Sequence, residues 1–404
     1  MSAAPVRYDV AIAGAGPGGA ALAMRLARLG LRVIAFDRAT FPREKVCSEY
    51  LSPEGVRHLA DLGVLEAVER EGGHPIRGTT VRAPFGATLT GLFARAGKPF
   101  RPTGLSVARR ILDRVLVEAA RAAGAEIRER VAVTGVIRSA GTVKGLRIRE
   151  GAATREITAR LTVGADGLHS VVARAIGRRR AGPLRRWALA AHLEGVAGLA
   201  ETAELHVGPA GYAGLNPIGG GIANVALVLP GERLKAGGTD LARFFFQELE
   251  RFPGVAGRIP ADRLRRPVMA TGPFAAWTSP AAVPGALLLG DAADFFDPFT
   301  GEGICAALRG AELAEAALGK PLVAGAPLGS SVLGAYRLAR WRAFAGKWAV
   351  ERLLGYAMLM PRLFDRAVGR LERRGLAHTM IGVTGDYLPA RFVLNPRFLS
   401  QAVL

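Results

Sequence analysis

The chain has 404 residues, 50% hydrophobic and 22% charged, a composition that excludes a disordered or collagenous chain because enough apolar surface is available to offset ordering entropy. Two cysteines, Cys47 and Cys305, and six scattered histidines exclude a disulfide framework and argue against a zinc or other His-built metal centre. The net charge of +20 rests on 48 arginines and only six lysines; spread along the chain with no nucleic-acid motif, they read as solvated surface charge rather than as a nucleic-acid footprint.

At ~100–200 residues per domain the length allows two or three domains. The N-terminus, Met1 to Arg7, lacks the apolar core of a signal peptide, and no apolar run approaches the roughly 18 residues of a membrane-crossing helix. A cytoplasmic protein is expected. The first strong signal follows at once. Asp9–Ala13 is a short apolar run suited to a strand buried on both faces. Gly14, Gly16 and Gly19 then form a GxGxxG, and Leu22, Leu26 and Leu29 line one side of a predicted helix that ends at Gly30. A second strand, Arg32 to Phe36, leads into Asp37. Each part has a physical role in dinucleotide binding. Gly14 permits a tight turn, Gly16 lets the backbone approach a pyrophosphate, and Gly19 lets helix pack on strand. The helix N-terminus offers free N–H groups to phosphate, and the acid after the second strand accepts from a ribose hydroxyl. The motif alone does not separate FAD from NAD.

Two later strand-to-loop junctions carry an Asp beside a Gly. Asp166 and Gly167 follow the Leu161–Val163 run, and Gly290 and Asp291 follow Leu287–Leu289. Such junctions are where doubly wound sheets place ligand contacts; the simpler reading is that both aspartates cap the helices that follow.

The GxGxxG, the middle DG and the late GD together resemble the FAD-dependent monooxygenase superfamily with the p-hydroxybenzoate hydroxylase fold, over about Tyr8 to Leu318. The resemblance implies an α/β fold: a Rossmann-like FAD-binding domain with a parallel sheet, a mostly antiparallel-sheet substrate domain and a helical C-terminal tail. It places Gly14, Gly16 and Gly19 on the pyrophosphate and Asp37 on the adenosine ribose, with Arg38 beside it. Asp166 and Gly167 fall near the pyrophosphate, and Gly290 and Asp291 on the ribityl chain. Pro298, Gly301 and Gly303 lie over the flavin ring. Arg109, in an R-x-x-L-D segment, would also reach FAD. Gly219-Gly220-Gly221 opens no helix, so no dedicated nicotinamide domain exists and NAD(P)H is expected to dock transiently as reductant.

Residues 41–53, FPREKVCSEYLSP, resemble the P-R-x-K-x-C-G segment of the geranylgeranyl reductase branch, with Ser48 in place of the glycine. PFTGEGI, with Glu302 and Ile304, resembles the same branch. This puts Cys47 near the flavin and Lys45 near a polar substrate head. The branch also carries Y-x-W-x-F-P in its substrate domain. Here Tyr212 and Pro217 remain, but Gly214 and Asn216 replace the aromatics. The tryptophans of flavin halogenases are missing too. A widened pocket beside Tyr212 then suits a bulky substrate.

These readings lead to an expected NAD(P)H-using monooxygenase. It would hydroxylate an aromatic, polyketide or prenylated secondary metabolite with molecular oxygen, through a flavin C4a-hydroperoxide. The alternative is a geranylgeranyl reductase-like C=C reductase; halogenation stands third. The flavin carries such chemistry, so no side-chain base is assigned, and His206 reads as a satisfied sheet residue. The expected FAD-binding domain takes 1–75, 104–180 and 281–325, the substrate domain 76–103 and 181–280, and a helical segment 326–404. Pro361 should break or kink that tail, which reads as helices packed on the FAD domain with arginines outward. A lipid-facing amphipathic surface is the competing reading. A monomer or homodimer is expected.

Overall fold

A computed structural model describes residues 7–208 and 211–403; the first six residues, within the N-terminus that lacks a signal-peptide core, lie outside this range. The strand Arg7–Ala13 is flanked by Val33–Phe36 on one side and Ala153–Gly164 on the other, and all three run parallel. Glu126–Arg128 and Ala286–Leu288 extend the sheet in parallel at either side. Val10, Ala11, Ile12 and Ala13 are wholly buried, as a strand covered on both faces requires. The helices Pro17–Arg28, Arg109–Ala122 and Gly303–Val323 cover one face. On the other lie an antiparallel hairpin, Val131–Ser139 with Thr142–Glu150, and the short helix Val171–Ile176. Each fully buried Leu or Ile contributes ~2 kcal/mol of transfer free energy.

A second sheet has seven strands, in the order Leu264–Thr271, Arg186–Glu194, Ile222–Pro230, Gly211–Pro217, Thr202–Gly208, Gly78–Arg82 and Thr88–Leu92. Every pairing is antiparallel except that of Thr202–Gly208 with Gly78–Arg82. The helix Leu241–Leu249 packs on one face. The other face meets the loop after Asp291 and the C-terminal helices.

The tail departs from its expected place. Ser330–Ala357 does lie against the Gly303–Val323 helix, and the buried Tyr336 donates its hydroxyl to the Leu288 carbonyl at 2.7 Å. Pro361–Arg373 and Ala377–Thr384 pack instead on the edge strand Thr88–Leu92. The reason is polar as well as apolar. Edge-strand N–H groups need acceptors, and Glu372 takes that of Thr90 while His378 Nδ1 takes that of Leu92. Pro361 stands at the first turn of its helix, where a missing N–H costs nothing.

Tyr336→Phe should remove one buried hydrogen bond without opening a cavity, lowering stability by about 1 kcal/mol. A lower urea midpoint with an unchanged slope is the expected result; an unchanged midpoint would mean that this bond does not hold the tail helix to the sheet.

Candidate functional site

The glycine loop is fixed by close backbone approach. Gly14 has φ +92, and a Cβ there would lie 2.4 Å from the Ala165 carbonyl oxygen. On Gly19 it would lie 2.0 Å from the Gly14 oxygen. The first glycine therefore makes room for the DG loop as well as for the turn. Gly16 is different: a Cβ there would meet only the Arg43 guanidinium, at 3.3 Å. Asp37 accepts N–H groups from Ala15 at 3.0 Å and Ala39 at 2.9 Å, which ties the second strand's end to the loop.

Around this loop the fold gathers buried charge. Arg43 and Arg109 both pair with Asp113, which is fully buried. Arg109 is held bidentately, at 2.8 Å by each bond, so the R-x-x-L-D spacing closes on itself as an i,i+4 ion pair. Burial, and then the Arg109 guanidinium, push the Lys45 ammonium below its ordinary pKa. Burial raises the Asp291 carboxyl, although Lys45, Arg109 and Arg179 all oppose it. Asp166 is also raised by burial, but it accepts from Ser170 and from the Val171 N–H. Asp166 thus supports the start of the helix that follows by accepting from its first N–H and from the N-cap Ser170, whereas Asp291 faces the cations. Lys45 Nζ lies 3.5 Å from where a Gly167 Cβ would sit. The structure brings Gly14, Gly16, Asp37, Lys45, Arg109, Gly167 and Asp291 into one neighbourhood, and Arg43 Nε there is buried with no hydrogen-bond partner among the described residues. A glycine cradle, a guanidinium nitrogen left free by its ion pair, and the buried Lys45 and Asp291 fit the pyrophosphate and hydroxyls of the FAD that the resemblance implies.

Segment 43–49 runs between the two sheets. Asn224 donates to the Cys47 carbonyl at 2.6 Å and Asn216 to that of Ser48 at 3.0 Å. Cys47 Sγ accepts the Glu49 N–H at 3.3 Å and adjoins Arg109. Glu49 is wholly buried at φ +57. It accepts the Arg109 N–H at 2.9 Å, bonds His192 Nε2 at 2.7 Å and lies 3.6 Å from Arg266. Sequence reasoning missed Glu49, His192, Asn224 and Arg266; nothing in their spacing marks them, since they come from strands distant in the chain.

Tyr212 sits differently from a free substrate contact. It is buried, donates its hydroxyl to Asp297 at 2.7 Å and packs edge-on to Phe299. Arg186 pairs with the same carboxylate at 3.0 Å. Tyr212 therefore anchors the Pro298–Gly301 loop. That loop turns at Gly301, φ +73, and Gly303 begins a 21-residue helix. Arg38 lies beside Asp37 in sequence, and Gly290 adopts φ +50 ahead of Asp291. His206 bonds Glu204 on the sheet face opposite to that of Tyr212. Among the described residues, Glu44, Glu49 and His192 bring donor atoms within 4.8 Å of one another, as do Glu302, Cys305 and Asp386. Arg266 stands against the first group and Lys347 against the second, which disfavours a cation at either.

Glu302, between the two glycines, is 2% exposed. Its Oε2 accepts from Ser52 at 3.2 Å, and its Oε1 has no partner among the described residues. Burial, opposed by Lys347 and reinforced by Asp386, raises its pKa from 4.5 to about 8. Its contribution to stability is complete below 4.5 and is lost as pH rises through about 8. Glu302→Gln keeps the shape and removes the titration. Between pH 5 and 8.5 the variant should gain on the order of a few kcal/mol relative to the parent, at about 1.4 kcal/mol per pKa unit. Parallel stability profiles for the two proteins would show that Glu302 ionises normally. Asp291→Ala should yield folded protein largely stripped of FAD; a fully flavinated variant would remove Asp291 from the cofactor contacts.

Residues 7–207 match the FAD binding domain family. The chain is 30% identical over 328 residues to the digeranylgeranylglycerophospholipid reductase of Methanosarcina mazei, covering 79% of this chain and 77% of that one. A geranylgeranyl bacteriochlorophyll reductase-like structure from Thermoplasma acidophilum superposes with TM-score 0.78 at 22% identity, over 98% of both chains. The myxobacterial chondrochloren halogenase CndH superposes with TM-score 0.80 at 24% identity, over 88% of this chain and 83% of that one. The two structural likenesses show a shared fold. With the reductase relative and the FAD-domain match, they establish that the chain is an FAD-dependent oxidoreductase belonging to the geranylgeranyl reductase-like branch of the superfamily with the p-hydroxybenzoate hydroxylase fold.

Proposed function

We propose that the protein reduces carbon–carbon double bonds of an isoprenoid, lipid-like substrate, with NAD(P)H docking transiently as reductant. The observation that carries this reading is the 30% identity to a digeranylgeranylglycerophospholipid reductase over more than three quarters of both chains. It reverses the order expected from the motifs, which put hydroxylation first. The degraded Y-x-W-x-F-P stretch weighed against reduction, but in the fold Asn216 has its own task, bonding Ser48 and Ser106. The wall facing the Pro298–Gly301 loop also suits an isoprenoid. Tyr212, Phe274, Phe299 and Phe364 form one apolar cluster there, with Val46 and Leu168 beside it.

FAD, when bound, supplies the hydride chemistry; the remaining work falls to the chain. The Gly14–Gly19 loop and Arg43 would hold the pyrophosphate, Asp37 the ribose and Asp291 the ribityl hydroxyls. The phenylalanines would exclude water and align the chain of the substrate. Lys45, buried at the same cleft, would meet a polar head. Glu302, holding its proton at neutral pH, leaves the helix N-terminus at Gly303 without a competing carboxylate, so its N–H dipoles stay available to an anionic ring.

Monooxygenation is the second reading, favoured by Gly214 and Asn216 standing where the reductases carry aromatics. The test is anaerobic. The holoenzyme is reduced with dithionite and mixed with a geranylgeranyl lipid. Reoxidation of the flavin that depends on the lipid, with two hydrogens added per double bond by mass spectrometry, is the expected result. No lipid-dependent reoxidation, together with oxygen incorporation into an aromatic acceptor in air, would replace the reductase with a hydroxylase.

A further inference from the structure

The Ser330–Ala357 helix is apolar on two opposite faces. Its inward face, through Leu333, Tyr336, Phe344 and Val350, is buried. A helix on a protein surface ordinarily turns a polar face outward. Here the outward positions 338, 342, 345, 349, 353 and 356, spaced by helical turns, are Leu, Arg, Ala, Ala, Leu and Tyr, one arginine in an otherwise apolar row. Leu338, Trp341, Leu353 and Tyr356 are exposed, and Leu359 and Met360 continue the patch beyond the helix end. At 1.5 Å per residue the helical part of the stripe, Leu338 to Tyr356, is roughly 27 Å long. An apolar stripe of this extent on an isolated chain marks a surface that something covers.

Charge identifies the occupant. Arg337 and Arg342, on the helix itself, are exposed, and neither pairs with an acid among the described residues. The helix has one acid, Glu351, which is set among Lys347, Arg352 and Asp386 rather than on the stripe. A second copy would bring the same arginines and the same net charge of +20 against this face. No helix among the described residues is long and apolar enough to cross a membrane. An apolar stripe edged by arginines on such a helix suits the plane of an anionic lipid surface.

The stripe also ends at the candidate site. Tyr356 packs on Phe296, with ring centroids 6.3 Å apart, and the guanidinium of Arg352 lies over the same ring. A Cβ on Gly355 would sit 2.8 Å from Phe296. The next residue, Asp297, holds Tyr212 and Arg186. The apolar surface is therefore one side chain away from the loop that walls the site.

We infer that this face docks on an anionic bilayer, with the Ser330–Ala357 helix lying in the interface and the Phe296 loop at the point where an isoprenoid lipid would enter. The origin of the substrate rests on the reductase reading; the docking does not.

The test uses FAD-loaded protein without substrate, sedimented with phosphatidylcholine vesicles that contain or lack phosphatidylglycerol. Binding is expected only with phosphatidylglycerol and should weaken as salt is raised. Arg337→Gln and Arg342→Gln should each weaken it about fivefold, since a basic residue near such a surface is worth ~1 kcal/mol. The triple exposed-surface variant Leu338→Ser, Leu353→Ser, Met360→Ser should weaken it at least about tenfold, with an unchanged urea midpoint. Equal binding of parent and triple variant, or no sedimentation of the parent, would overturn the docking. So would a dimer that the triple variant dissolves, which would assign the face to a second copy. Vesicle binding without lipid-dependent flavin reoxidation would uphold the docking and remove only the reductase reading.

Discussion

The two sheets are held in register by one buried carboxylate. Glu49 is fully inaccessible, and it collects the N–H that opens the Arg109 helix beside the first sheet and His192 from the second. Breaking a buried charge pair from one side costs about 3–5 kcal/mol, because the remaining charge loses its compensation. Asn216 and Asn224 reinforce the seam by clasping the carbonyls of Ser48 and Cys47. The positions of Lys45 beside Gly167 and of Cys47 beside Arg109 follow from that seam. A shift of the segment would move them away from Arg109 and Asp291 together.

Much of the FAD-binding sheet was readable in the sequence because its constraints are local. Gly19 is required by a contact within the same strand–turn–helix unit, although Gly14 also makes room for the distant DG loop, and a buried parallel strand announces itself as a continuous apolar run. Asp37 follows its strand directly. The seven-stranded sheet was readable only as a class. Alternation along Ile222–Pro230 and Ala203–Gly208 indicates strands, but the order of pairing, with Gly78–Arg82 inserted beside Thr202–Gly208, depends on contacts across more than a hundred residues.

The site was legible in its backbone and much less so in its side chains. Tyr212 was singled out as lying near the substrate, yet its hydroxyl is committed to Asp297. Arg109 was read toward FAD, yet its guanidinium is closed on Asp113. Tyr212 finds its partner 85 residues away, beyond any spacing rule, whereas Arg109 closes on an acid one helical turn along its own helix. Glu49 left no signal at all: a buried acid at positive φ has meaning only once His192 and Arg266 stand beside it. The likeness to both reductases and halogenases adds a chemical point. One fold serves different reactions when the flavin supplies the reactivity and the chain supplies only the surroundings.

The edge strand Thr88–Leu92 carries a consequence for how the protein is made. Thr90 and Glu372 are 282 residues apart in the chain. At ~5–20 residues per second of synthesis, the strand leaves the ribosome roughly 15 to 60 s before its covering helices exist. Through that interval its N–H groups are open to any neighbouring nascent chain. Slow translation or a stalled ribosome then becomes a hazard specific to this architecture, and the yield of folded protein depends on what shields one short strand while the last helices are still being made.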